Sequence, residues 1–327
     1  MALKITVDDI KAAASRIEDV AVKTQLIENQ TLNALTGGRI LIKPECLQRT
    51  GSFKIRGAYN RISQLSAMEK TKGVVAFSSG NHAQGVACAA QLLGVKATIV
   101  MPSDAPAIKV VNTRGYGAEV VLYDRFKESR ENIARDIAEK TGSIVVPSFD
   151  DKDIIAGQGT VGLEIAEACK AAAIKPFGVV YNCGGGGLSS GSAIAMRSFF
   201  PESKTVIVEP EGFDDAGRSL KSGKIESNDD TTRSICDALL SPHIGEITFP
   251  ILKDHQATAI AISDEEAKQA IIFAARELKI ILEPGGAASL AGVLSGKIDV
   301  KGKTMVVVCS GGNVDPEFLA EILRGKP

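Results

Sequence analysis

The chain has 327 residues, 44% hydrophobic and 24% charged, with 38 Lys and Arg against 39 Asp and Glu. That near-neutral balance excludes the strong basic field of a nucleic-acid or acidic-membrane binder, and the length supplies one large domain or two ordinary ones. No apolar run reaches membrane-span length, no signal-peptide core opens the chain, and the six scattered cysteines form no CxxC pair; reduced thiols in a cytoplasmic protein are expected.

In chain order, the first β-rich run is RILIK (39–43). Behind it, TGSFKIRGA (50–58) sets Lys54 between Phe53 and Ile55, fenced by Gly51, Ser52 and Gly57. Apolar neighbours imply partial burial, which disfavours the ammonium form, and a lysine so desolvated is a candidate for Schiff-base chemistry. Taken alone, the stretch reads first as a surface lysine beside a loop. GVVAF (73–77) leads into SSGNHAQG (78–85), and KATIVM (96–101), EVVLY (119–123) and SIVVP (143–147) are further strand candidates. The polar stretch PSFDDKD (147–153) breaks the alternation and marks a candidate boundary.

GVVYN (178–182) leads into CGGGGLSSG (183–191), and KTVIVE (204–209) into the acidic VEPEGFDD (208–215). SLKSGKIESNDDTTRS (219–234) reads as a long surface loop. Ser263 opens a helix with Glu266 as the partner of a capping box, and Ala267, Ala270, Ile271, Ala274 and Leu278 share one face. KTMVVVCS (303–310) ends the series in SGGN (310–313). Nearly continuous Val/Ile runs alternating with helical segments predict an α/β fold, its parallel sheets covered by helices on both faces.

Three of these strands end in glycine-bearing turns, where open parallel sheets bind ligands and helix N-termini favour anions. Four consecutive glycines, Gly184–Gly187, lose much backbone entropy on folding, so a close approach to a ligand is expected there. A dinucleotide is one option, with Glu209 about 25 residues beyond Gly184 as the ribose acid, but the G-x-G-x-x-G/A spacing fails. A P-loop fails too, because no Gly-Lys-Ser/Thr follows. What remains is a single phosphate held by backbone amides, together with a lysine poised for imine formation, and these needs coincide in pyridoxal phosphate. A non-catalytic nucleotide-binding module is the alternative of a different class. Glu209 and Asp215, with the Phe213 carbonyl between them, offer oxygen-only ligands suited to magnesium or calcium; solvated loop acids are the plain alternative.

In this order, SFKIRGA, SSGNHAQG, AGQGT, GGGGL and SGGN resemble the serine/threonine dehydratases and serine racemases, pyridoxal-phosphate enzymes of fold type II, across nearly the whole chain. The resemblance implies two domains, each with a mostly parallel twisted sheet flanked by helices: a large cofactor-binding domain of residues 1–51 and 149–327, and a small one of 52–148. It implies that Lys54 forms the imine and shuttles the Cα proton, and that Ser79 serves as acid/base on the opposite face in the racemase branch. Phe53 would line the cofactor ring, Asn81 meet its 3-oxygen, Gly184, Gly185, Gly186 and Gly187 hold the phosphate, and Ser310 meet the pyridine nitrogen. Ser78, Ser79, Asn81 and His82 would surround the substrate carboxylate. SRENIA (129–134) is similar to the racemase branch, where Arg130 would approach a substrate carboxylate. A divalent cation at Glu209, Phe213 and Asp215 (magnesium, or else calcium or manganese) and a homodimer are also implied.

The activity implied is β-elimination from L-threonine or L-serine to a 2-oxo acid and ammonia. Serine racemisation with side dehydration, and dehydration of 3-hydroxyaspartate, are the alternatives. A neutral serine at the ring nitrogen, in place of an aspartate, leaves that nitrogen largely unprotonated and suits β-elimination better than transamination. Phe149 and SICDALL (234–240) lie where relatives vary and are expected to shape the side-chain pocket. With SGGN so near the last residue, isoleucine feedback is not expected.

Overall fold

Ten strands divide into two sheets in the computed structural model, which describes residues 5–229 and 232–325. They are β1 Ile27–Glu28, β2 Arg39–Pro44, β3 Val74–Phe77, β4 Ala97–Pro102, β5 Glu119–Tyr123, β6 Ile144–Val145, β7 Gly178–Asn182, β8 Lys204–Pro210, β9 Thr258–Ile262 and β10 Thr304–Cys309. One sheet has the order β1-β2-β10-β7-β8-β9, the other β5-β4-β3-β6. Every pairing is parallel except that of β1 with β2, so most strands end on the same side of their sheet. β10 sits mid-sheet, with Val306 opposite both Leu41 and Val179, and its Val and Met side chains are buried on both faces.

The eight expected strands all form, although SIVVP contributes only the two residues of β6. Two strands were not anticipated. β1 is a two-residue edge, and β9 reads TAIAI, a half-buried edge strand whose small alanines give little hydrophobic signal. The helix expected from Ser263 runs Asp264–Phe273 with the Ser263–Glu266 capping box formed, and all five predicted inward positions are buried. The polar segment 219–234 is not all loop: helix Asp215–Ser222 takes its first four residues, and Ser227 forms a bridge with His243. Residues 230 and 231 of that segment lie outside the described residues. The six cysteines are free and buried, and among the described residues no helix is long and apolar enough to cross a membrane.

Three helices meet between the sheets and position the site. Helix Lys152–Ala171 packs against both Lys54–Ser63 and Gly187–Phe199. The first contact is backbone to backbone, since a Cβ on Gly157 would lie 2.6 Å from the Gly57 Cα. Beneath it lies a buried ion cluster. The Arg56 guanidinium, two residues past Lys54, donates to Glu45 at 2.8 and 2.9 Å and to Glu164 at 2.7 and 3.0 Å. Lys43 completes the set with a 2.5 Å bond to Glu164. Two cations against two carboxylates leave the cluster neutral, and Arg56 and Lys43, although charged, are each no more than 1% exposed. Burial alone would raise the Glu45 pKa, but Arg56 and Lys43 more than offset it and hold it below the usual carboxylate range.

Candidate active site

The ends of β3, β7 and β10 open onto a cleft of about 330 Å³. Phe53, Lys54, Ser78, Ser79, Asn81, His82, Arg130, the four glycines and Ser310, scattered over some 260 positions of sequence, all line it. Phe149, Asp237, Ala238, Leu239 and Leu240 line it too, so the two variable segments do reach its wall.

Lys54 opens its helix at the floor of this cleft. Its Nζ donates to the Ser148 carbonyl at 3.0 Å and lies 5.2 Å from the centre of the Phe53 ring. Desolvation lowers its pKa to about 8, while part of its surface stays open to the cleft. The glycine loop joins β7 to helix Gly187–Phe199. Gly186 caps that helix in the left-handed region, φ +87, and a Cβ there would lie 2.8 Å from Thr248 Oγ1. The Gly185 carbonyl is turned away from the cleft by bonds from Thr248 Oγ1 and the Gly245 N–H. First-turn amides of a helix have no intrahelical acceptor, so those of Gly187 and Leu188 are available to an anion.

Ser310 Oγ accepts from Asn182 Nδ2 at 2.7 Å, which leaves its own proton to be donated. Asn182 is itself fixed by the Ser289 N–H and the Gly286 carbonyl. Asn81 is held at both ends of its amide, donating to Glu283 Oε1 and accepting from Asn313 Nδ2 at 2.8 Å, with one N–H left over. Glu283 in turn pairs with Lys109 at 2.8 Å, and Lys109 with Asp237 at 2.7 Å. Burial opposes the Lys109 charge, but the two carboxylates prevail and keep it protonated. Sequence reading did not single out Lys109, Asp237, Glu283 or Asn182. The one local cue is a lysine inside the apolar run AIKVV, and its partners lie more than a hundred residues away.

His82 is 2% exposed, with Nε2 3.0 Å from the Val146 carbonyl and Nδ1 without a partner. Burial first, and the Lys54 charge second, lower its pKa to about 3. The ring is therefore neutral, and its one proton is committed to the Val146 carbonyl; only its backbone N–H, in the first turn of helix Asn81–Leu92, can serve a carboxylate. Arg130 opens helix Arg130–Thr141 on the cleft wall, bonded through Nε to Glu131 at 2.8 Å and lying over Phe77 at 5.4 Å.

The acidic segment lies apart from the cleft lining. Glu209, in β8, accepts from the N–H groups of Ala216 and Gly217 at 3.0 and 2.8 Å. Asp215 Oδ1 accepts from Asn228 at 2.6 Å, and its Oδ2 is buried without a partner. These acids are not solvated: burial first raises both pKa values, that of Asp215 to about 6, and Asp215 raises Glu209 further. An unpaired buried carboxylate oxygen beside a second carboxylate fits a cation with oxygen ligands. Among the described residues, no group of three or more His, Cys, Asp or Glu side chains could hold a metal.

Residues 17–311 match the family described as pyridoxal-phosphate dependent enzyme, and the chain belongs to that family. It is 43% identical over 318 residues to an L-threo-3-hydroxyaspartate ammonia-lyase of a Pseudomonas species, covering 97% of this chain and 98% of that one. It is 40% identical over 319 residues to the serine racemase of Schizosaccharomyces pombe, covering 97% of each. A solved threonine deaminase from T.th. superposes with a TM-score of 0.89 at 42% identity, covering 95% of this chain and 99% of that one. The residues present fit the cofactor that the family name carries: a desolvated lysine, a backbone-amide cradle and a neutral hydroxyl donor share one cleft.

Proposed function

We propose that this enzyme is an ammonia-lyase of β-hydroxy-α-amino acids: water is eliminated, and a water is taken up again as hydrolysis of the resulting enamine releases ammonia and leaves a 2-oxo acid. The observation that carries the reading is a low-pKa lysine facing, across one cleft, an amide-lined glycine loop and a serine hydroxyl free to donate. Bound pyridoxal phosphate supplies the electron sink for a carbanion at Cα. The glycine amides at the helix N-terminus would hold its phosphate, Phe53 would line its ring, and the spare Asn81 N–H would be offered to its 3-oxygen. Ser310 would offer the ring nitrogen a neutral hydroxyl donor rather than a carboxylate, a partner suited to β-elimination. The Ser78 hydroxyl, the amide and hydroxyl of Ser79 and the Asn81 amide, with the His82 N–H, take the substrate carboxylate, and Lys54 removes the Cα proton. Ser79, returning a proton from the other face, would account for racemisation as a side reaction.

L-Threonine and L-serine are the first substrates. A second reading, L-threo-3-hydroxyaspartate, is favoured by Arg130, whose guanidinium nitrogens beyond Nε can meet a second carboxylate from the cleft wall. A panel of these three substrates, scored for both 2-oxo acid and D-amino acid, tests the proposal. 2-Oxo acid is expected to dominate, and D-serine accumulating without comparable pyruvate would overturn it.

The remaining organisation is proposed on the same basis. Residues 1–51 with 149–327 form the large domain and 52–148 the small one, with the cleft between them. Glu209, the Phe213 carbonyl and Asp215 bind magnesium or a similar cation that supports the fold. The enzyme works in the cytoplasm as a homodimer.

A further inference from the structure

One short segment holds the two basic side chains nearest the proposed proton transfer. His82 Nε2 lies 3.0 Å from the Val146 oxygen, and Lys54 Nζ donates to the Ser148 oxygen at 3.0 Å. Residues two apart in a chain have Cα atoms at most about 7 Å apart, and the Lys54 charge acts on the His82 ring, so the imidazole and the amine share one neighbourhood without being bonded to each other in this structure. The helices agree: Gly85, one turn on from His82, packs so closely that a Cβ there would lie 3.0 Å from the Lys54 carbonyl carbon.

A carbonyl oxygen only accepts, so Nε2 carries the ring proton and Nδ1 presents a lone pair. That lone pair is buried, unpartnered and on a ring that lines the cleft. An unmet buried acceptor is costly, so a donor is due there. A neutral primary amine has two N–H bonds and one lone pair. The Ser148 carbonyl takes one N–H and has no use for the other.

We propose that, once substrate occupies the cleft and the Lys54 amine has been released to act as the base, His82 Nδ1 accepts its second N–H, so that Ser148 and His82 together turn its lone pair toward the substrate Cα. Both hydrogens are then spoken for, and the only direction left for the lone pair is the one a general base needs. After the proton moves from Cα to Nζ, the same two acceptors hold the ammonium, whose third N–H points back along the path it came. No proton passes to His82, which is a positioning residue acting through Lys54. Burial and the nearby Lys54 charge keep the ring neutral at working pH, as an acceptor must be. The inference rests on the reading of Lys54 as the base.

Two substitutions separate this role from simple support. His82→Gln keeps a donor near the Nε2 position for Val146 but has no acceptor at the Nδ1 position; His82→Asn keeps an acceptor near Nδ1 but cannot reach Val146. The expected result is a kcat loss on the order of 10² in His82→Gln with KM nearly unchanged, the scale of a misaligned reacting group. His82→Asn should recover most of that loss while showing the lower Tm. Nitrogen NMR of the histidine-labelled holoenzyme should show His82 as the neutral Nε2–H tautomer. Parental kcat in His82→Gln with a loss confined to His82→Asn, or an Nδ1–H tautomer, would overturn the inference. Borohydride labelling of the parent keeps the two levels apart: a label on Lys54 leaves the lysine reading standing when the inference fails, and a label elsewhere removes both.

Discussion

At neutral pH a free surface lysine is almost wholly protonated and useless as a nucleophile, whereas burial brings Lys54 to about 8. The apoenzyme should therefore capture pyridoxal phosphate at a rate that rises with pH through a midpoint near 8, not near 10.5; stopped-flow absorbance of reconstitution reads this directly. The linkage sign follows. Between about 8 and 10.5 the unfolded lysine binds more protons than the folded one, so this group makes the apoenzyme more stable as pH rises through that window. The partial exposure of Lys54 reduces the size of that effect. Arg130 separates substrates at the same scale. Arg130→Met should raise KM for L-threo-3-hydroxyaspartate by roughly tenfold or more, since a charge-assisted hydrogen bond is worth about 1.5–3 kcal/mol, and should leave L-threonine nearly unaffected. Equal losses on both substrates would remove the distal-carboxylate role.

The helix Lys54–Ser63 is held from behind by Arg56, whose guanidinium joins two carboxylates from different parts of the chain. Such a cluster is stable only when complete. Arg56→Met should destabilise the protein by about 3–5 kcal/mol, because Glu45 is left fully buried and underpaired beside a partly buried Glu164; urea unfolding measures it. A change below about 1 kcal/mol would mean that the cluster relaxes into water and does not fix the helix. The element scale is also where the sequence was most readable. GVVYN became β7 residue for residue, because a run of branched side chains buried on both faces carries its own signal; EVVLY became β5 through its β-branched pair alone, at a sheet edge where Glu119 and Leu122 stay exposed. TAIAI did not, since an edge strand of alternating small residues resembles a loop as much as a strand.

Across the whole molecule, legibility tracks the distance between partners. The glycine loop, SSGN and the lysine stretch announced themselves because each is a local backbone device, and the fold brings them to one cleft. The Lys109–Glu283–Asp237 chain and the Arg56 cluster were silent, because a buried charge is recognisable only by a partner far away in sequence. The ring proton on His82 was equally invisible, being decided by a carbonyl 64 residues on. The proposed cation site is local by contrast, drawn from the seven consecutive residues 209–215. Millimolar magnesium should raise the Tm of the parent and a chelator lower it, and Asp215→Asn should abolish the difference. A parent whose Tm ignores both additions would refute the site.

The most direct measurement is borohydride reduction of the yellow holoenzyme followed by peptide mapping. The account predicts loss of the yellow absorbance and one reduced pyridoxyl adduct, on Lys54 in the peptide containing SFKIRGA. An adduct on any other lysine, or a colourless protein that takes up no pyridoxal phosphate, would contradict it.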